Sequence, residues 1–251
     1  MSNQKVVLIT GSSTGMGKET ALILAKKGFL VYAGTREPKK LEKLNSKNLI
    51  SIKLDITNPK NIKEVINTIN TKHGKIDILI NNAGYGLVST VEDLDEQEMF
   101  DQYNINVFGL LRVCKEVIPS MRQQNSGIIV NISSFLGKIG LPLLTLYNSS
   151  KYAVEGITDS LRYELSEFNI RVHSVMPGFF NTNFAKENLV ININTFDEKS
   201  PYSEVVSKLA PVIVEQINNG NDPKEVASMI LEIIENDKFP ARATIGEKAK
   251  K

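Results

Sequence analysis

Short apolar runs alternate along this chain with longer segments in which apolar residues recur at three- and four-residue steps. Val6-Val7-Leu8-Ile9 and Ile128-Ile129-Val130 carry no polar residue at alternate positions, the pattern of strands buried on both faces. Strands are predicted at 5–10, 29–34, 50–54, 76–81, 127–132 and 170–176, with a last one near 241–245. Helices are predicted at 15–27, 38–46, 59–73, 95–123, 144–168, 203–219 and 223–236. Regular alternation of the two argues for an α/β fold, a parallel sheet with helices on both faces. No linker or repeat divides the chain, so residues 1–251 read as one domain. The stretch 179–202 has weak periodicity and is flanked by Pro177-Gly178 and Pro201. A loop that long in a compact domain reads as a lid or binding segment.

The first strand runs into Thr10-Gly11-Ser12-Ser13-Thr14-Gly15-Met16-Gly17, and a helix follows that Gly28 closes. Strand, glycine-rich turn and helix together offer backbone N–H groups and a helix N-terminus to a phosphate. A P-loop is rejected: its first glycine would be Ser12, and the residue after Lys18 is Glu19 rather than Ser or Thr. The glycines stand at 11, 15 and 17, a different spacing from the common G-x-G-x-x-G dinucleotide turn.

Tyr147 and Lys151 stand four residues apart and so share one helix face. A free phenol has a pKa of about 10. A neighbouring cation favours the phenolate, so Lys151 is expected to lower it. Such a pair can exchange a proton with an alcohol or a ketone.

Thr-Gly-x-x-x-Gly-x-Gly followed by Tyr-x-x-x-Lys resembles the short-chain dehydrogenase/reductase family. Further motifs fall in the family's order: Asn81-Asn82-Ala83-Gly84, Asn106 in Asn106-Val107-Phe108-Gly109, Ser134 thirteen residues before Tyr147, and Pro177-Gly178 with Thr182. The resemblance is close over residues 5–182 and looser beyond. It implies a Rossmann-type doubly wound parallel sheet and hydride transfer between a nicotinamide cofactor and an alcohol or carbonyl. Tyr147 would be the general acid/base. Lys151 would hold the nicotinamide ribose, Ser134 would donate to the substrate oxygen, and Asn106 would position a water linking Lys151 to solvent. Gly11, Ser12, Ser13, Gly15, Met16 and Gly17 would cradle the pyrophosphate. Asp55 would meet the adenine; Asn82, Ala83 and Gly84 would pass the adenosine ribose while Asn81 braces the central strands. Pro177, Gly178 and Thr182 would hold the carboxamide.

Cofactor choice turns on the end of the second strand, Thr35-Arg36-Glu37. An acid there would bind a ribose 2′-OH, whereas an arginine accommodates a 2′-phosphate. Thr35 fills the acid's position and Arg36 follows, which points to NADP(H) rather than NAD(H). Glu37 counts against that choice, since it could reach back or pair with Arg36.

Composition then narrows the classes. A formal net charge of +2 is too small to mark a nucleic acid or an anionic membrane as the main partner. No run approaches the roughly 18 apolar residues of a membrane span, and no signal-peptide core follows Met1. The single cysteine, Cys114, forms no internal disulfide and fits a cytoplasmic protein. His73 and His173 belong to no metal-ligand cluster, so no metal is expected. Leu136, Leu141, Leu143, Leu144, Phe179, Phe180 and Phe184 are expected either to line an apolar substrate pocket or to pack in the core. Gly140-Leu141-Pro142 and Gly178-Phe179-Phe180 resemble the retinol- and steroid-type branch, which implies a small hydrophobic carbonyl or alcohol substrate. The chain stops sooner after Phe239-Pro240 than that branch, with Lys248, Lys250 and Lys251 as a solvated tail. Long apolar patterns at 95–123 and 144–168 imply, by the same resemblance, a homodimer or homotetramer. Two other readings stay open: an NAD-preferring dehydrogenase, and a non-catalytic NADP(H)-binding regulator.

Overall fold

Seven parallel strands stand in the order β3-β2-β1-β4-β6-β7-β9 in a computed structural model that describes residues 4–182 and 188–246. They are β1 (Val6–Ile9), β2 (Leu30–Thr35), β3 (Leu49–Lys53), β4 (Ile78–Asn81), β6 (Gly127–Ile132), β7 (Ile170–Pro177) and β9 (Arg242–Ile245). β1 is paired on one side with β2 and on the other with β4. The chain therefore reverses its winding at β1, and a crevice opens above the carboxyl ends of β1 and β4.

The apolar runs are explained by cover on both faces. Val6 and Leu8 of β1 enter one core with Ile62, Val65 and Ile69 of α2 (Pro59–His73) and Val113 and Val117 of α4 (Leu110–Gln123). Val7 and Ile9 enter the other with Ala21 and Leu24 of α1 (Gly15–Lys26) and Val226, Ile230 and Ile233 of α7 (Pro223–Glu235). Alternate side chains point to opposite faces, so each strand feeds both layers. The longest helix, α5 (Thr145–Leu165), lies against β7 and carries both Tyr147 and Lys151.

Four elements differ from the expected pattern. Residues 38–46 form a 3₁₀ segment, Pro38–Leu44, rather than an α-helix. The single helix expected at 95–123 is α3 (Glu96–Tyr103), a π-helical turn (Asn104–Gly109) and then α4. Asp95 begins it with a reciprocal capping box to Glu98. The helix expected at 144–168 ends as a 3₁₀ turn, Ser166–Phe168. Within 179–202, β8 (Leu189–Ile191) pairs in parallel with β5 (Gly86–Val88) in a second, two-stranded sheet. Three-residue strands carry too little pattern to be seen in sequence.

A polar latch fixes the later part of 179–202. Thr195, fully buried, donates to Asp93 Oδ2 (2.7 Å) and accepts from the Thr90 N–H (3.1 Å). Asn192 donates to Glu98 Oε2 (2.8 Å). Beyond it, α6 (Ser203–Asn218) covers the site with Val206, Ile213 and Ile217. Residues 183–187, with Phe184, and the tail lysines 248, 250 and 251 lie outside the described residues. No helix among the described residues is long and apolar enough to cross a membrane.

Candidate active site

The glycine turn closes against the end of β4. Gly11 and Gly15 have φ of +66° and +55°, conformations that glycine adopts without a steric penalty. A Cβ at Gly11 would lie 2.7 Å from Ala83 Cα, and one at Gly17 would lie 2.4 Å from Asn82 Nδ2 and 2.6 Å from the Gly11 carbonyl oxygen. Asn82 Nδ2 donates to the carbonyls of Thr10 (3.1 Å) and Gly11 (2.8 Å), and Thr10 Oγ1 accepts from the N–H groups of Asn82 and Ala83. Two loops distant in sequence thus make one rigid floor at the N-terminus of α1.

That floor opens into a cavity of about 630 Å³, lined among others by Gly11, Ser13, Gly15, Met16, Arg36, Asp55, Asn82, Ala83, Gly84, Tyr147, Lys151 and Thr182. Its volume is in the range of ligand sites. Ser12 departs from expectation: it is fully buried and its hydroxyl donates to the Ile9 carbonyl (3.1 Å), so it braces the turn from below. Gly17, Pro177, Gly178, Ser134 and Asn106 are not among the residues that line the cavity. Asp55 lines the cavity, with Oδ1 accepting from the N–H and hydroxyl of Thr57. Thr35 is buried, Arg36 is exposed at the rim, and Glu37 pairs with Lys40 (3.3 Å) instead of Arg36. Asn81 braces the strands as expected, donating to Asn131 Oδ1 (2.9 Å) and Cys114 Sγ (3.3 Å).

The other half of the site is set by α5 and the π-helical turn. Lys151 is buried, and its Nζ donates to the Ile132 carbonyl at the end of β6 (3.0 Å). It lies 5.7 Å from the centre of the Tyr147 ring. Ser134 follows β6, accepts from the Leu136 N–H (3.2 Å), and hydrogen-bonds the Tyr147 phenol. The extra residue of the π turn presents Asn106 to the site, as such turns do at functional positions. Asn106 Nδ2 donates to the Tyr85 carbonyl (2.9 Å) and Ser150 Oγ (3.0 Å), while its Oδ1 accepts from the Tyr85 N–H (3.0 Å). Asn106 therefore braces the Gly84-Tyr85 turn against α5. A Cβ at Gly84 would sit 3.2 Å from Asn106 Oδ1 and 3.6 Å from Lys151 Nζ, so a larger residue in this turn would press on Asn106.

Burial dominates the electrostatics here. It pushes the Tyr147 phenol up to about 12, with the Ser134 hydrogen bond acting against it. Lys151, expected from the spacing to lower the phenol, gives its hydrogen bond to the Ile132 carbonyl. Burial likewise pulls Lys151 down to about 8, against the charge of Glu155. A phenol so held stays protonated at neutral pH.

Of the apolar candidates, Leu136, Leu143 and Leu144 are buried in a cluster with Val206, Ile213 and Ile217, and Leu141, Phe179 and Tyr147 pack against it. Phe180 turns into the opposite core beside Ile245. Apart from Phe180, these apolar candidates form the apolar side of the site around the phenol and are not among the residues lining the cavity. Sequence reasoning did not single out Tyr85, Leu87, Glu98, Asp101, Asn104, Asn188 and Val190, which also line the cavity. Tyr85 directly follows the Asn-Ala-Gly turn and could have been found there; Val190 arrives only through the β5–β8 pairing. Among the described residues no group of His, Cys, Asp or Glu could hold a metal ion. A second cavity of about 610 Å³ lies near the amino ends of the strands, lined by Lys5, Asp77, Arg171 and His173, and contains none of the candidate residues.

The profile of the short chain dehydrogenase family matches residues 5–190. A 3-ketodihydrosphingosine reductase of Bacteroides thetaiotaomicron is 34% identical over 245 residues, covering 96% of this chain and 88% of that protein. The crystal structure of a short-chain dehydrogenase from Streptomyces avermitilis superposes with a TM-score of 0.89 at 31% identity, covering 100% of this chain and 91% of that one. The structure of ElxO with NADP bound superposes with a TM-score of 0.78 at 29% identity, covering 96% and 97%.

Proposed function

The chain belongs to the short chain dehydrogenase family of oxidoreductases, and we propose that it uses NADP(H) to interconvert a ketone or aldehyde and its alcohol, with Tyr147 as the general acid/base. The observation that carries this reading is the meeting, around one cavity, of a side-chain-free glycine floor with Tyr147 and Lys151, the phenol being hydrogen-bonded to Ser134.

The residues present fit a dinucleotide. The floor at Gly11, Gly15 and Gly84 allows close approach, the N-terminus of α1 faces the cavity, and Arg36 stands at its rim without an ion pair among the described residues. Gly11, Ser13, Gly15 and Met16 would hold the pyrophosphate, Asp55 the adenine, Arg36 the 2′-phosphate, and Thr182 the carboxamide. The NADP-bound ElxO structure supports the same choice. The cofactor supplies the hydride and, when oxidised, a positive charge near the phenol.

The chain's own residues do the rest. Ser134 donates to the substrate oxygen and holds the phenol in place. Tyr147 gives its proton to that oxygen in reduction and takes it back in oxidation. Lys151 keeps a positive charge beside the nicotinamide ribose. Asn106 fixes the Gly84-Tyr85 turn, and the second lone pair on its Oδ1 is available to a water near Lys151. The segment 179–202 and α6 act as a lid, and the Leu136, Leu143 and Phe179 cluster favours an apolar substituent on the substrate. The ketone in the name of the Bacteroides relative agrees with that class.

Turnover with NADPH across apolar ketones and aldehydes of increasing chain length tests the proposal. Activity that grows with chain length is expected. NADPH binding with no turnover on any of them would favour a regulator instead, and a preference for NADH would favour the NAD-dependent alternative.

A further inference from the structure

The row of polar side chains on α5 continues past Lys151. Tyr147, Lys151, Glu155 and Asp159 follow at four-residue steps and share one face of the helix. Lys151 and Glu155 are each only 6% exposed. A buried ammonium is costly without a counter-charge, and the hydrogen bond from Lys151 goes to a neutral carbonyl. Glu155, one turn on, supplies the negative charge.

Its carboxylate is fixed from several elements. Glu155 Oε2 accepts from Ser174 Oγ of β7 (3.1 Å) and from Arg242 Nε of β9 (3.0 Å). Arg242 also binds Asp159. Glu155 Oε1 is buried and has no hydrogen-bond partner among the described residues. The stem of the side chain is held against the 3₁₀ turn that follows Ser134, Phe135–Gly137. A Cβ at Gly137 would lie 3.1 Å from Glu155 Cγ, 3.1 Å from the Lys151 carbonyl oxygen and 2.9 Å from Ser133 Oγ.

We propose that Glu155 is a positioning residue, the fixed counter-charge that keeps Lys151 an ammonium at working pH, with Arg242 of the last strand setting how much of that charge Lys151 feels. The inference rests on the reading of Lys151 as part of the active site. Among the described residues, Tyr147 and Asp159 from α5 and Arg242 from β9 are the other titratable or charged groups around this pair. Ser174 of β7, Ser133 after β6 and Asn106 of the π turn face it without charge. Burial lowers the Lys151 pKa and Glu155 raises it. Removing the carboxylate charge therefore lowers the midpoint, and removing the Arg242 charge raises it. A helix merely loosened by mutation would expose Lys151 to water and raise the midpoint in both cases.

The test is a titration of the full-length protein carrying ¹³Cε-labelled lysine, followed by NMR, with the Lys151 signal assigned by its loss in Lys151→Arg. Glu155→Gln, which keeps the shape of the side chain, should lower the Lys151 midpoint by about one unit or more. Arg242→Gln should raise it, and the alkaline limb of kcat/KM should move with it in each variant. A Glu155→Gln midpoint equal to or above the wild-type value would overturn the proposal, and an unmoved Arg242→Gln midpoint would remove Arg242 from it. The titration needs no turnover, so its failure leaves the reading of Tyr147 standing. A wild-type protein inactive on every carbonyl would instead overturn the proposed reaction.

Discussion

Replacing Arg36 with alanine should weaken NADPH binding by about 10- to 100-fold and leave NADH binding nearly unchanged. Arg36 stands at the cavity rim just past β2. Glu37, the acid next to it, is paired with Lys40 at 3.3 Å, so the guanidinium remains available to a 2′-phosphate. A hydrogen bond to a charged group contributes about 1.5–3 kcal/mol. At about 1.4 kcal/mol per factor of ten, this gives the stated range. Arg36 is exposed, so screening places the effect near the lower end at physiological salt, where charges interact over only about 8 Å. Thr35→Asp should reverse the preference. Thr35 Oγ1 accepts from the Glu37 N–H (3.1 Å), a bond that an aspartate can keep while placing a carboxylate where it repels phosphate and accepts from a 2′-OH. The assay is a fluorescence titration of each variant with NADPH and NADH at low and high salt. Equal wild-type affinities for the two cofactors at low salt, or equal losses for both in Arg36→Ala, would refute the reasoning.

Three other outcomes are expected. Tyr147→Phe removes the transferable proton but keeps the ring in its apolar cluster, so turnover should fall by roughly 10²–10⁴-fold while NADPH titration is little changed; near-normal turnover in the folded variant would remove Tyr147 from the chemistry. Lys151 is held down to about 8 by burial, and its ammonium is the active form, so kcat/KM should decline as pH rises through that value, whereas a profile flat to pH 10 would contradict it. Gly17→Ala would force a Cβ against Asn82 Nδ2 and the Gly11 carbonyl, so a loss of about 1–3 kcal/mol in urea unfolding is expected together with weaker cofactor binding; an unchanged midpoint would show that the two loops are not locked together.

Much of this molecule is legible along its sequence, because the information is local. Val6-Val7-Leu8-Ile9 reads as a doubly covered strand since no alternate position is polar, and the sheet buries it on both sides. The glycine spacing and the four-residue step from Tyr147 to Lys151 place the floor and the proposed acid–base pair directly. Other features depend on partners far away in the chain. Ser12 sits in the phosphate-loop motif, yet its hydroxyl is taken by the Ile9 carbonyl, a choice made by the turn of the backbone. The π turn that presents Asn106 interrupts a pattern that reads as one continuous helix. The β5–β8 pair joins segments a hundred residues apart through runs too short to carry a period. Spacing brings Lys151 near Tyr147, but the fold decides that its ammonium donates to the carbonyl of Ile132 and that burial raises the phenol. Glu155 looks in sequence like any polar helix residue. Only the arrival of Ser174 and Arg242 from two other strands makes it a buried charge one turn from Lys151. Periodicity and spacing determine elements and faces; dielectric, counter-charge and the direction of each polar side chain are set by what packs there from elsewhere in the chain.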